Sequence, residues 1–128
     1  MSLYQSNYEI KDYKIIRLYN IDYLGELYIA KDMILDRKVF LRVLTDVTVS
    51  SDVSVPLMEE AKKQVNLHHE NILTLNSITI FNNYICLISD YSDGEFLSEI
   101  LVKYKRFSDK KALTIIKDIC SVLHEAHK

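Results

Sequence analysis

The hydrophobic pattern of this chain changes period near Gly94, and that change constrains the fold more than any other feature of the sequence. Before it, short runs rich in Ile, Val, Leu, Tyr and Phe are separated by Asn, Asp, Gly or charged turns, as in successive antiparallel strands. Lys14 to Leu18, Leu24 to Ala30 and Val39 to Leu44 form one series of three; Ile72 to Ile80 and Tyr84 to Ser89 form a further pair. Phe81-Asn82-Asn83 joins that pair, and the two asparagines tolerate the positive φ of a tight hairpin. One helix interrupts the strands. Leu57, Ala61 and Val65 are spaced for it over Leu57 to His68, and Pro56 sits in its first turn, where proline loses no hydrogen bond. After Gly94 a short helix is expected from Leu97 to Tyr104, then a longer one opened by Ser108 as N-cap. In the latter Ala112, Ile115, Ile116, Ile119, Leu123 and Ala126 recur at three- and four-residue steps.

At 128 residues, one small domain with a single hydrophobic core is the default. Sixteen Lys and Arg against eighteen Asp and Glu give no electrostatic pull toward nucleic acid or anionic lipid. The basic cluster Lys103, Lys105, Arg106, Lys110 and Lys111 is interleaved with Glu99, Asp109 and Asp118, which reads as a solvated surface. Cys86 and Cys120 both lie in apolar runs, which suits reduced, buried thiols and a cytoplasmic location better than a disulfide framework. No apolar run is long enough to enter a membrane, and Met1-Ser2-Leu3 shows no basic-then-apolar leader and is given no functional weight.

Five segments carry a resemblance: "LYNIDYLGELYIAKD", "RKVFLRVL", "EEAKKQVNLHHENIL", "YICLISDYSDGEFL" and "SVLHEAHK". In that order and spacing, over residues 8 to 127, they resemble the first half of bacterial serine/threonine protein kinases. The resemblance implies an α+β fold: a kinase-like N-terminal lobe at 8–91, with a five-stranded antiparallel sheet and one αC-type helix. Residues 92–128 would then supply the end of the hinge and the first two helices of a truncated C-terminal lobe.

It also implies a nucleotide site, and here the chain departs from the pattern. The three glycines of G-x-G-x-x-G-x-V fall on Asn20, Asp22 and Gly25, and its valine on Leu27, so only the last glycine is present. Asn tolerates left-handed backbone, but Asp22 would set a carboxylate against a polyanion. The lysine of V-A-I-K falls on Arg42, which keeps the charge and changes its shape. Its alanine, which in the family lies against adenine, falls on Phe40. Strand alternation puts Phe40 and Arg42 on one face and Val39, Leu41 and Val43 on the other, so a phenyl ring should fill adenine space. The helix glutamate that pairs with the lysine falls on Glu60, with Glu59 as local competitor, and an Arg42–Glu60 ion pair is expected. Ser89 takes the gatekeeper position, and Asp90-Tyr91 the hinge.

The catalytic-loop H-R-D-L-x-x-x-N and the Mg²⁺-binding D-F-G do not occur within these residues. The expectation is a degenerate ATP site with no cofactor bound, in a pseudokinase or interaction module that does not transfer phosphate by itself. ATP and Mg²⁺ enter by resemblance only. The alternative is a truncated piece of an active ATP-dependent kinase with Arg42 serving for lysine. Cys120, His124 and His127 share a helical face but lack a fourth ligand, so no metal site is expected. The apolar positions of Ser108–His127 spread too widely for all of them to face one neighbour. A protein partner is therefore expected: a second copy docked on this helix, or the chain's own C-terminal lobe.

Overall fold

A computed structural model describes residues 2–48 and 54–128. The chain divides into two compact units. Met1–Asn66 with Leu73–Tyr91 makes up the first, and Leu67–Ile72 with Ser92–Lys128 the second.

The first unit is a curled antiparallel sheet with one helix. Its strands are β1 (Glu9–Ile10), β2 (Tyr13–Asp22), β3 (Gly25–Asp32), β4 (Arg37–Thr48), β5 (Leu75–Phe81) and β6 (Tyr84–Asp90), and helix α1 (Ser54–Val65) precedes β5. Sheet order is β1-β2-β3-β4-β6-β5, with every ladder antiparallel. The five expected strands are present, and a two-residue β1, which periodicity is too short to reveal, adds an edge. The β5–β6 turn places Asn82 and Asn83 at φ 50° and 66°, as their sequence requires. On α1, which lies against β5, Ala61 is buried and Leu57 and Val65 are half-buried, the three residues that set its spacing. The helix begins earlier than expected and ends at Val65, before the His68-His69 pair.

Strand alternation gives this sheet two distinct faces. On the outer face Tyr28, Ala30, Val39, Leu41, Val43, Cys86 and Ile88 are sealed off together with Tyr4, Ile10 and Ile15. On the inner face lie Leu27, Ile29, Phe40 and Ser89, held in register by the Leu27–Arg42, Ile29–Phe40 and Phe40–Ser89 pairings.

The second unit holds α2 (Leu97–Tyr104) and α3 (Asp109–Ala126). Ser108 caps α3 as its sequence predicts, its side chain accepting a hydrogen bond from the Lys111 N–H at 3.2 Å. No residue of α3 is fully buried, and Leu113, Ile116, Ile119 and Leu123 are exposed. A groove lined by Asn71, Ile115, Asp118, Ile119, Val122 and Leu123 runs along the helix. Among the described residues no helix is long and apolar enough to cross a membrane.

Candidate functional site

The inner face of β2, β3 and β4 gathers most of the residues that the sequence marks. Asn20 pairs with Leu27, and Leu27 with Arg42, which brings the ends of three strands together. Asp22 stands opposite Gly25 across the β2–β3 turn. There its Oδ1 accepts two hydrogen bonds, from the Leu24 N–H at 2.9 Å and from Arg42 Nη1 at 2.8 Å. The carboxylate thus both closes its own turn and pairs with the strand cation. With side chains 17% (Arg42) and 27% (Asp22) exposed, the pair sits beside the β2–β3 turn with water still in reach.

Gly25 has φ 126°, and a Cβ there would run into the Val43 carbonyl oxygen. The β2–β3 turn therefore lies directly on β4.

Further along the same face, Phe40 is buried between two tyrosines. Its ring meets Tyr19 edge-on at 5.3 Å and Tyr91 at 5.1 Å, separations at which aromatic pairs attract. Tyr19 reaches it because the β2–β3 register shifts between Leu18 and Asn20, and the extra residue of this bulge turns toward the inner face. Arg17 lies over the Tyr19 ring at 5.4 Å and Lys38 over the Tyr91 ring at 5.3 Å, so a cation backs each tyrosine. In the hinge, Ser89 is opposite Phe40. Asp90 is tied to β5 by the Asn76 amide at 3.0 Å, and its own N–H reaches the Thr74 carbonyl just before that strand at 3.0 Å.

No protein-family model matches the chain. Individual proteins do. PrkC, a serine/threonine-protein kinase of Bacillus subtilis, is 26% identical over 117 residues, spanning 91% of this chain and 18% of PrkC. Calcium-dependent protein kinase 4 of Plasmodium berghei is 32% identical over 120 residues, 92% of this chain and 22% of that protein. A crystal structure of the Mycobacterium tuberculosis PknI kinase domain superposes with a TM-score of 0.86 at 20% identity, covering 97% of this chain and 51% of that one. Over these residues the chain belongs to the serine/threonine protein kinase family. It spans about a fifth of the length of those two kinases and about half of the PknI domain.

In kinase terms, the structure corrects the expected pairing of the strand cation. Glu60 does not meet Arg42: on the exposed side of α1, 72% accessible, it pairs with Lys63 at 3.5 Å. Glu59 likewise pairs along the helix, with Lys62 at 3.4 Å. Arg42 takes Asp22 instead, because the β2–β3 turn folds back over β4 and delivers a carboxylate to the same face. Residues Asn20, Asp22, Gly25, Leu27, Phe40, Arg42, Glu60, Ser89, Asp90 and Tyr91 all belong to the first unit, but two of them point away from the inner face: Asp90 stands opposite Val39 and bonds Asn76, and Glu60 is exposed on α1.

As arranged, these residues do not fit a nucleotide. The cation expected at phosphate is engaged by a carboxylate, and the side chain expected at adenine is packed between two rings. Sequence reasoning missed Tyr19. An aromatic beside the degenerate Asn20 was the available signal, but only the bulge shows which way it turns. No cluster of metal-ligating side chains occurs among the described residues, Cys120, His124 and His127 included.

Proposed function

We propose that this chain is the N-terminal part of a kinase-like protein whose nucleotide site is closed by its own side chains, and that it works as an interaction module rather than by phosphoryl transfer. The observation that carries this reading is the Asp22–Arg42 ion pair. A tethered carboxylate acts at an effective concentration on the order of millimolar or above, so a phosphate must displace it before it gains Arg42. The rings of Tyr19, Phe40 and Tyr91 oppose the base in the same way, since separating them forfeits about 0.5–1.5 kcal/mol per aromatic contact. Calorimetric titration with ATP·Mg²⁺ tests the proposal. Weak or undetectable binding is expected, and Phe40→Ala with Asp22→Gly should strengthen it. A dissociation constant in the low micromolar range, about −8 kcal/mol, overturns it. That result would favour the second reading, part of an active ATP-dependent serine/threonine kinase, which draws on the names of the relatives and on the positive charge retained at Arg42.

The partner surface in this reading is α3. Its exposed Leu113, Ile116, Ile119 and Leu123 are each worth roughly 1.5–3 kcal/mol on burial, and the occupant proposed is a second copy of this chain. Sedimentation at micromolar concentration should give a dimer that Ile116→Asp with Ile119→Asp dissociates. A clean monomer, or a dimer unaffected by these changes, rejects the assignment.

A further inference from the structure

The segment preceding β1 is fastened to the outer face of the sheet in two different ways, and the difference runs through one turn. Beyond that turn, the chain is held by backbone. The Asn7 N–H reaches the Ile15 carbonyl at 2.7 Å, the Ile15 N–H reaches the Tyr8 carbonyl at 2.9 Å, and β1 pairs with β2. The turn is closed by the Tyr8 N–H on the Gln5 carbonyl at 3.1 Å, with Asn7 at φ 70°. Before it, Ser2 to Gln5 are held by side chains.

The Leu3 N–H donates to both oxygens of Glu26, at 2.7 and 3.1 Å, and the Tyr4 N–H donates to the Tyr28 hydroxyl at 3.1 Å. That hydroxyl in turn donates to Glu26, at 3.1 and 3.2 Å. The Tyr4 ring is seated beside Tyr8, Tyr28 and Phe81, in the buried cluster that contains Cys86, and the Asn82 side chain bonds its phenol. Glu26 is almost fully buried, and the donors it meets here are neutral: an N–H and an O–H.

A carboxylate is an unusual residue to seal beneath a sheet, because its desolvation must be met by good hydrogen bonds. Here one of its donors is the backbone of a segment that has no ladder of its own. The catch and the closed strap therefore depend on each other. Leu3, given no weight in the sequence reading, matters through its N–H alone.

We infer that Ser2–Gln5 form a strap that swings as a unit about the Gln5–Asn7 turn, with the Glu26 carboxylate as its catch, so that opening uncovers the aromatic outer face and the Cys86 thiol without unfolding the sheet. Whatever draws the strap away thereby controls access to that face. This inference does not depend on the nucleotide site.

Thiol labelling of the full chain tests it, in a Cys120→Ser background that removes the exposed cysteine. Leu3→Pro deletes the N–H that meets the catch and leaves Glu26 in place; Glu26→Gln alters the catch itself. Both should raise the rate at which a disulfide reagent modifies Cys86 by tenfold or more, in urea well below the unfolding transition and with a urea dependence much shallower than that of global unfolding, because the opening exposes little surface. Equal labelling rates in parent and variants overturn the strap. So does labelling whose urea dependence matches that of global unfolding. A Leu3→Pro chain that fails to fold overturns it as well, since a segment that opens by itself cannot carry the fold.

Discussion

The two faces of one sheet treat a carboxylate in opposite ways. On the outer face Glu26 is buried against neutral donors, one from the strap and one from Tyr28. On the inner face Asp22 remains partly wet and is matched by the cation of Arg42. The first arrangement belongs to folding: its donors are satisfied only when the chain around them is in place, and losing one leaves a buried polar group at a cost of about 1–3 kcal/mol. The second belongs to a site. An ion pair that water still reaches contributes little to stability, and its cation is available to any anion that outcompetes the tethered one.

The contrast is broken most forcefully in the outer-face core. Leu41 is completely buried there, and Leu41→Ala should cost about 2–5 kcal/mol in urea or thermal unfolding. A cost below about 1 kcal/mol, the range of surface changes, would mean that the outer face is not the core.

An intermediate effect is expected from pH. Burial, reinforced by Glu26, pushes the Tyr28 phenol up to about 12. A folded value above the unfolded one, near 10, means that the native state holds this proton longer. The contribution is therefore fully present below about pH 10 and is lost as pH rises from there toward 12. Absorbance titration of the nine tyrosines should show one ionising last, and Tyr28→Phe should delete that step and flatten the alkaline fall in stability. An unchanged titration in the variant would remove Tyr28 from the buried face.

The smallest effect sharpens the other side of the contrast. Asp22→Asn keeps an oxygen for the Leu24 N–H but removes the charge facing Arg42. It should cost only about 0.2–1 kcal/mol, with the difference from the parent shrinking as salt is added. A loss of 3 kcal/mol or more, the range of a broken buried pair, would make the inner face as structural as the outer one.

Much of this fold was legible because the signals are local. The Asn82-Asn83 turn, the Ser108 cap and the separation of Phe40 and Arg42 from Val39, Leu41 and Val43 each follow from a few neighbouring residues. The partner of Arg42 was not legible in the same way. It depends on how the β2–β3 turn closes over β4, and the expected Glu60 lies on the outward side of α1. Register arithmetic could have found it, because pairing Leu27 with Arg42 carries Asp22 toward the same end of the sheet. Glu26 had a fainter signal: alternation puts it with Tyr28 and Ala30, a charged residue in a buried row. Tyr4 had none, since its role depends on a segment too short to show any period.

The closeness of Gly25 to the Val43 carbonyl bears on how such loops are compared between proteins. A glycine that the hairpin needs for its own closure would be retained by any chain that builds this turn, whether or not the chain ever meets a triphosphate. Its presence therefore says little, by itself, about nucleotide binding. Positions 20 and 22, the other two glycine positions of the G-x-G-x-x-G-x-V pattern, hold Asn and Asp here, and Asp22 takes a part of its own in closing the turn.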